Sequence, residues 1–173
     1  MKNQFTISSA YPWANNDSSK KAINHIAKMI KDRFNNNKEE YNYNINYRKL
    51  RSSAGRTMLD SIYYRINDSQ VIIIDLSENN SNVFLEAGIA LAIEKNKKYL
   101  SVYFIREKKT GVILPEGIPS DLQGYFISEY TINTKGEVII NDAGSLRMSI
   151  ESDVKDYFNL LGQNFNQIDE MNF

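Results

Sequence analysis

The stretch Val71–Leu91, VIIIDLSENNSNVFLEAGIAL, decides the fold. Four β-branched apolar residues, Val71–Ile74, end on Asp75; an Asn-rich turn follows, and a helix opens almost at once. A continuous apolar run of this length suits a central parallel strand covered on both faces. The helix, from about Val83 to Glu94, is small or apolar on nearly every side, so it is expected to be largely buried. It carries one carboxylate in its first turns, Glu86. Ionised side chains are rarely taken out of water without a partner or a purpose, because desolvation is costly. Glu86 is therefore expected to line an internal cleft, and it is the candidate catalytic residue.

Working outward, Gln4–Ser8 reads as a first strand, followed by a loop containing Pro12 and several turn formers. Ser18 or Ser19 caps a helix whose apolar residues Ile23, Ile26, Ala27, Ile30 and Phe34 recur at helical spacing. Tyr43–Tyr47 alternates enough for a second strand, and Arg56–Asn67 forms a helix with Leu59, Ile62, Tyr63 and Ile66 on one face. Tyr99–Ile105 and Tyr125–Tyr130 supply further strands, with Lys108–Gly124 between them as a loop and candidate lid. Glu137–Ile140 reads as a short extension of the last strand, and Asp142 as the cap of a final helix with Leu146, Ile150, Val154 and Phe158 on one stripe. Strands alternating with helices in this way indicate βαβ units. The expected class is α/β, a flavodoxin-like open parallel sheet of about five strands with helices on both faces. Residues 1–161 form a single domain, and 162–173 are a polar, Asn-rich C-terminal tail expected to fray.

Composition removes several classes of function. The 21 basic and 21 acidic residues balance, so no basic field points to nucleic acid or to an anionic membrane. There is no cysteine, hence no disulfide, thiol nucleophile or thiolate metal site. No apolar run approaches the roughly 20 residues that span a bilayer, and no basic-then-apolar leader opens the chain, so a cytoplasmic protein is expected. The single histidine, His25, lies beside the apolar stripe of its helix, where solvent is its natural place. No Ser-His-Asp or Cys-His system can be assembled from these residues, and no metal-ligand cluster is visible. Neither GxGxxG nor GxxxxGK[ST] occurs. The chemistry has to run on carboxylates, hydroxyls and amides.

In open parallel sheets ligands bind beyond the carboxyl ends of the strands, where strand order reverses. With a flavodoxin-like order the first and third strands are neighbours there, and Ser8–Asn16 would face Leu76–Asn82 across one crevice. That crevice is expected to hold Ser8, Tyr11, Trp13, Asp75, Asn80, Asn82 and Glu86: aromatics to stack on a flat ring, amides to read polar edges, and a carboxylate. Arg51 or Arg56, just before the second helix, would meet a phosphate. Each has a structural alternative. Asn80 or Asn82 would cap the third helix, Asp75 would bond loop amides, Tyr11 and Trp13 would pack the loop, and the two arginines would be solvated. For Glu86 a capping box would require Ser or Thr three positions earlier, where Val83 stands.

A lone carboxylate suffices for one kind of chemistry. Cleavage of a glycosidic bond passes through an oxocarbenium-like sugar, which a carboxylate can attack or offset in charge. Near a helix N-terminus the macrodipole favours the ionised form. A good leaving base, such as the cationic nicotinamide of NAD, would need little help from a general acid.

The run DLSENNSNVFLEAGIALA resembles the nucleoside 2-deoxyribosyltransferase-like superfamily, including its TIR-like members that hydrolyse NAD. In those proteins a strand ends in an acid, an Asn-Val-x-x-Glu-x-Gly-x-Ala segment starts the next helix, and that Glu is catalytic. Asn82, Val83, Glu86, Gly88 and Ala90 fill the pattern, and Asp75 matches the strand-end acid. Downstream, Pro119, Asp121, Leu122 and Gly124 match a Pro-x-Asp-Leu-x-Gly loop of TIR-like members. The resemblance spans roughly Phe5–Tyr130. The first loop departs from the transferases, which place a Tyr or Phe in a Gly- or Ala-rich turn; Tyr11 is the nearest counterpart here.

The resemblance implies an N-glycosidase that takes NAD as substrate rather than cofactor. In that reading Asp75 and Asn82 orient the ribose or base, while Tyr11 or Trp13 stacks on a ring. It also implies a role in prokaryotic antiphage defence, switched on by homo-oligomerisation or by a sensor partner. Two alternatives stand beside it: a nucleoside 2-deoxyribosyltransferase exchanging nucleobases, and a non-enzymatic nucleotide-derivative sensor or interaction module.

Overall fold

The structure, a computed structural model, describes residues 4–12, 17–35, 44–50, 57–109, 111 and 117–170, with side chains at all of these except 35 and 162–170. The strands are β1 (Gln4–Ala10), β2 (Asn44–Lys49), β3 (Val71–Asp75), β4 (Ser101–Glu107), β5 (Ile127–Ile132) and β6 (Val138–Ile140). The helices are α1 (Asp17–Asn35), α2 (Met58–Asn67), α3 (Ser81–Glu94) and α4 (Ala143–Glu170), with one 3-10 turn at Ser120–Leu122. They build a curled α/β sheet in the order β2-β1-β3-β4-β5-β6.

β3 sits between β1 and β4, parallel to both, and all five of its residues are buried. Alternation along the strand explains why every position is apolar until Asp75. Val71 and Ile73 enter a core with α1 residues Ile23, Ile26 and Ile30 and α4 residues Leu146, Ile150 and Val154. Ile72 and Ile74 enter a second core with Ile62 and Ile66 of α2 and Val83, Ala87 and Ala90 of α3. Each fully buried Ile contributes roughly 1.5–3 kcal/mol through its removal from water. Helices thus cover both faces of the sheet, as expected.

The sheet has six strands rather than about five, and it is mixed. β1 to β5 are parallel, while β6 runs antiparallel to β5. Glu137–Ile140 therefore does not prolong the last strand but returns along it. The reversal is made by Asn133, whose side-chain oxygen accepts from the Lys135 and Glu137 amides, and by Gly136 at φ +79. A glycine takes that left-handed conformation without the Cβ penalty.

Strand ends also differ from the sequence reading at the side that matters for a ligand. β1 continues to Ala10 and β2 to Lys49. α4 runs on to Glu170, past the Gly162 where the sequence suggests a polar tail. α3 begins at Ser81 and is not buried all round: Val83, Glu86, Ala87, Ala90 and Ile93 form its inner stripe, whereas Leu85 is half exposed. Packing against the sheet and α2 covers one side of α3, with Phe84, Ile89 and Leu91 partly buried at its margins and Leu85 left in solvent. No helix among the described residues is long and apolar enough to cross a membrane.

Candidate functional site

A cavity of about 190 Å³ opens beyond the carboxyl ends of β1 and β2. Tyr11 and Pro12 wall it from the segment after β1, and Leu50 from the residue after β2. Met58 and Ile62 of α2 form another side, and α3 closes it with Asn82, Val83, Leu85 and Glu86. The walls are mainly apolar, with Glu86 as their carboxylate.

Helical periodicity puts Glu86 on the inner stripe of α3 between Val83 and Ala90, and only 7 % of it is exposed. Burial pushes its carboxyl up to about 7, and the positive charge of Lys49 opposes that rise. The helix N-terminus is placed to give the ionised form little help. Glu86 lies in the second turn of a helix that starts at Ser81, and the field of a helix end fades within its first turn. The group is poised between its two forms at neutral pH, the state that suits a catalytic carboxyl.

Lys49, which the sequence reading did not single out, stands against the aromatic wall of the cavity. It ends β2, and its ammonium stands 3.4 Å from the centroid of the Tyr11 ring. The available signal was positional: the last residue of a parallel strand lies at the ligand end of the sheet, but the strand was read as stopping at Tyr47. Leu50, Met58 and Ile62 were likewise read as core or not at all, yet they face the cavity.

Asn80 is both cap and wall. Its side-chain oxygen accepts from the amides of Asn82 and Val83, at 3.0 and 3.3 Å, and so satisfies two free donors at the start of α3. Asn82, the second residue of α3, is exposed at the cavity. Tyr11, Asn80, Asn82 and Glu86 are thus brought together. Trp13, Arg51 and Arg56 lie outside the described residues.

Ser8 and Asp75 are not among the walls. The Ser8 hydroxyl lies 2.6 Å from that of Ser69 and accepts from Arg48 Nε at 3.1 Å, while Ser69 donates to the Arg65 carbonyl. Arg48 also donates to Asp68 and to the Arg65 carbonyl, so Ser8 belongs to a latch joining β1 and β2 to the end of α2.

Asp75 shares the face of Val71 and Ile73, the side of α1 and α4, whereas α3 covers the opposite face. It accepts from the Ser77 amide at 2.8 Å, from the Ser77 hydroxyl, and from the Tyr130 hydroxyl at 2.8 Å. Burial raises its pKa, and these hydrogen bonds counter the rise. The Ser77 hydroxyl in turn accepts from the Glu107 amide, so the cluster ties the end of β3 to β4 and β5. Asp75→Ala would remove the shared acceptor of the Tyr130 and Ser77 hydroxyls, which lie 3.2 Å apart and keep each other as partners, and is expected to destabilise by about 1–3 kcal/mol, read as a lower urea midpoint with the rate per folded molecule little changed. An unchanged midpoint with lost turnover would return Asp75 to the ligand.

Among the described residues no group of three or more His, Cys, Asp and Glu side chains converges to hold a metal. Compared with known proteins, the chain matches no family model and no curated sequence.

Proposed function

We propose that this chain is an N-glycosidase on a flavodoxin-like scaffold, cleaving the nicotinamide–ribose bond of NAD. The observation that carries the reading is one buried carboxylate, Glu86, facing an apolar cavity with an aromatic side chain and two amides on its walls. The sequence resemblance around Asn82–Ala90 supports the same residue in the same role.

In this mechanism Tyr11 offers a face on which a base can stack, and Asn82 offers an amide to the ribose or the base. Ionised Glu86 attacks the anomeric carbon, or offsets the positive charge developing there, as the carbon–nitrogen bond breaks. The bonding pair leaves with the pyridinium nitrogen, so nicotinamide departs neutral and needs no proton. Water then takes the anomeric position, releasing ADP-ribose, a proton and the free carboxylate. Apolar walls around the reacting carbon lower the local dielectric and strengthen the carboxylate's field. Assembly of several copies, or a sensor partner, belongs to this proposal as the activating event.

The working form is the ionised one, so turnover is expected to rise with pH and level off, with its midpoint near 7, where the Glu86 carboxyl titrates. The pH profile of kcat/KM for nicotinamide release checks this. A rate that falls through the same range would make Glu86 a proton donor and remove it as nucleophile.

A further inference from the structure

Lys49 stands at the ligand end of β2, held in register opposite Ser9 of β1. Its ammonium lies over the face of Tyr11, and Tyr11 is a wall of the Glu86 cavity. The next residue, Leu50, is buried and walls the same cavity. The side chain is half-buried, and its charge reaches Glu86 strongly enough to oppose the effect of burial there. None of the described wall residues is cationic, and Lys49 places a positive charge against the aromatic wall of a mainly apolar space.

A ligand carrying phosphate would be repelled by the Glu86 carboxylate and poorly solvated by those apolar walls unless a cation met it. A lysine ammonium is a compact point charge with three donors on a flexible stem, suited to a phosphate oxygen and able to move from a ring face to an anion. Its root on a strand rather than a loop fixes where that charge can act.

We propose that Lys49 is a specificity-determining residue that engages a phosphate of the substrate beside the Tyr11 ring, so that the site takes phosphorylated nucleotides in preference to nucleosides. The proposal rests on the glycosidase reading for its chemistry but not for its binding.

The test uses three ligands that share one leaving base and differ in phosphate: NAD, nicotinamide mononucleotide and nicotinamide riboside. Wild type, Lys49→Met and Lys49→Arg are compared by kcat/KM for nicotinamide release and by calorimetric titration of each ligand. Lys49→Met keeps the aliphatic stem, and a thermal melt of each variant confirms folding. Compared on the high-pH plateau, where Glu86 is ionised with or without the Lys49 charge that favours this form, Lys49→Met is expected to lower kcat/KM for the two phosphorylated ligands by about tenfold or more, largely through KM, and that for the riboside by less than about twofold. Lys49→Arg is expected to restore most of the loss. A loss confined to NAD would place the contact on the second phosphate, and a shared loss on the first.

Equal losses on all three ligands would overturn the role of Lys49 and leave the glycosidase reading standing. Phosphate-dependent binding that vanishes in Lys49→Met, without turnover by wild type, would overturn the glycosidase reading and leave the role of Lys49 standing. Wild type that binds the riboside as tightly as NAD, or binds none of the three, would overturn the proposal.

Discussion

Glu86→Gln is expected to lower nicotinamide release from NAD by about 10³-fold or more, with the fold retained. Gln conserves the volume of the side chain on the inner stripe of α3, so Val83, Ala87 and Ala90 keep their packing against the sheet. It removes the one property the mechanism needs, a negative charge within reach of the anomeric carbon. An amide neither attacks that carbon usefully nor offsets its positive charge. Whatever rate remains would come from holding the substrate in a dry cavity. Glu86→Asp, which keeps the charge but withdraws it by one methylene, is expected to lose about 10²-fold, because a displacement of about 1 Å is enough to spoil the alignment. Turnover by Glu86→Gln within about tenfold of wild type would remove Glu86 from the chemistry.

The same substitution is expected to stabilise the protein in mild alkali. The folded-state carboxyl titrates at about 7 and the unfolded one near 4.5. Between those values the folded chain holds a proton that the unfolded chain has lost, so stability falls as pH rises through this window and stays low above it. A difference of that size corresponds to about 3 kcal/mol. Gln has no such proton, so Glu86→Gln is expected to match wild type at pH 4 and to exceed it by up to about 3 kcal/mol at pH 8. Asp75, also raised by burial, adds a slope of the same sign to both proteins and cancels in the comparison. Urea midpoints of the two proteins at the two pH values read this directly. A gap that is the same at both would mean that Glu86 is not held in its protonated form by burial.

A Leu or Ala at position 86 would fill the inner stripe of α3 without such a cost, which favours the proposed role of Glu86 in chemistry.

How far the sequence reached into the structure depends on the period each residue obeys. The apolar run Val71–Ile74 marked β3 to its observed ends because a strand covered on both faces needs apolar residues at every position. Glu86 was legible because a helix with one internal carboxylate places it by a 3.6-residue repeat, and Val83, Ala87 and Ala90 show which side is inside. Asp75 was placed at the crevice because strand ends carry ligands, but the two-residue repeat of β3 turns it to the α1 and α4 side. Ser8 was placed there by the same rule and is not among the cavity walls. Its partners, Ser69 and Arg48, are distant in sequence, and a hydroxyl carries no mark of whether it bonds a ligand or its own core. Lys49 was hidden because a single lysine at a polar strand end looks like solvated surface until Tyr11 is seen beneath it. The β5–β6 reversal was written in Asn133 and Gly136, turn residues that lie between Tyr125–Tyr130 and Glu137–Ile140 and were given no weight when the second segment was read as an extension of the first.

The most direct test of the glycosidase reading is to incubate the purified protein, dilute and concentrated, with NAD, and separately with a deoxynucleoside plus a second base. Products are separated by mass-resolved chromatography. Nicotinamide and ADP-ribose in equal amounts, growing with protein concentration and absent in Glu86→Gln, are the expected result. Exchange of the second base onto deoxyribose with NAD left intact, or no product from either mixture at any concentration, would contradict it.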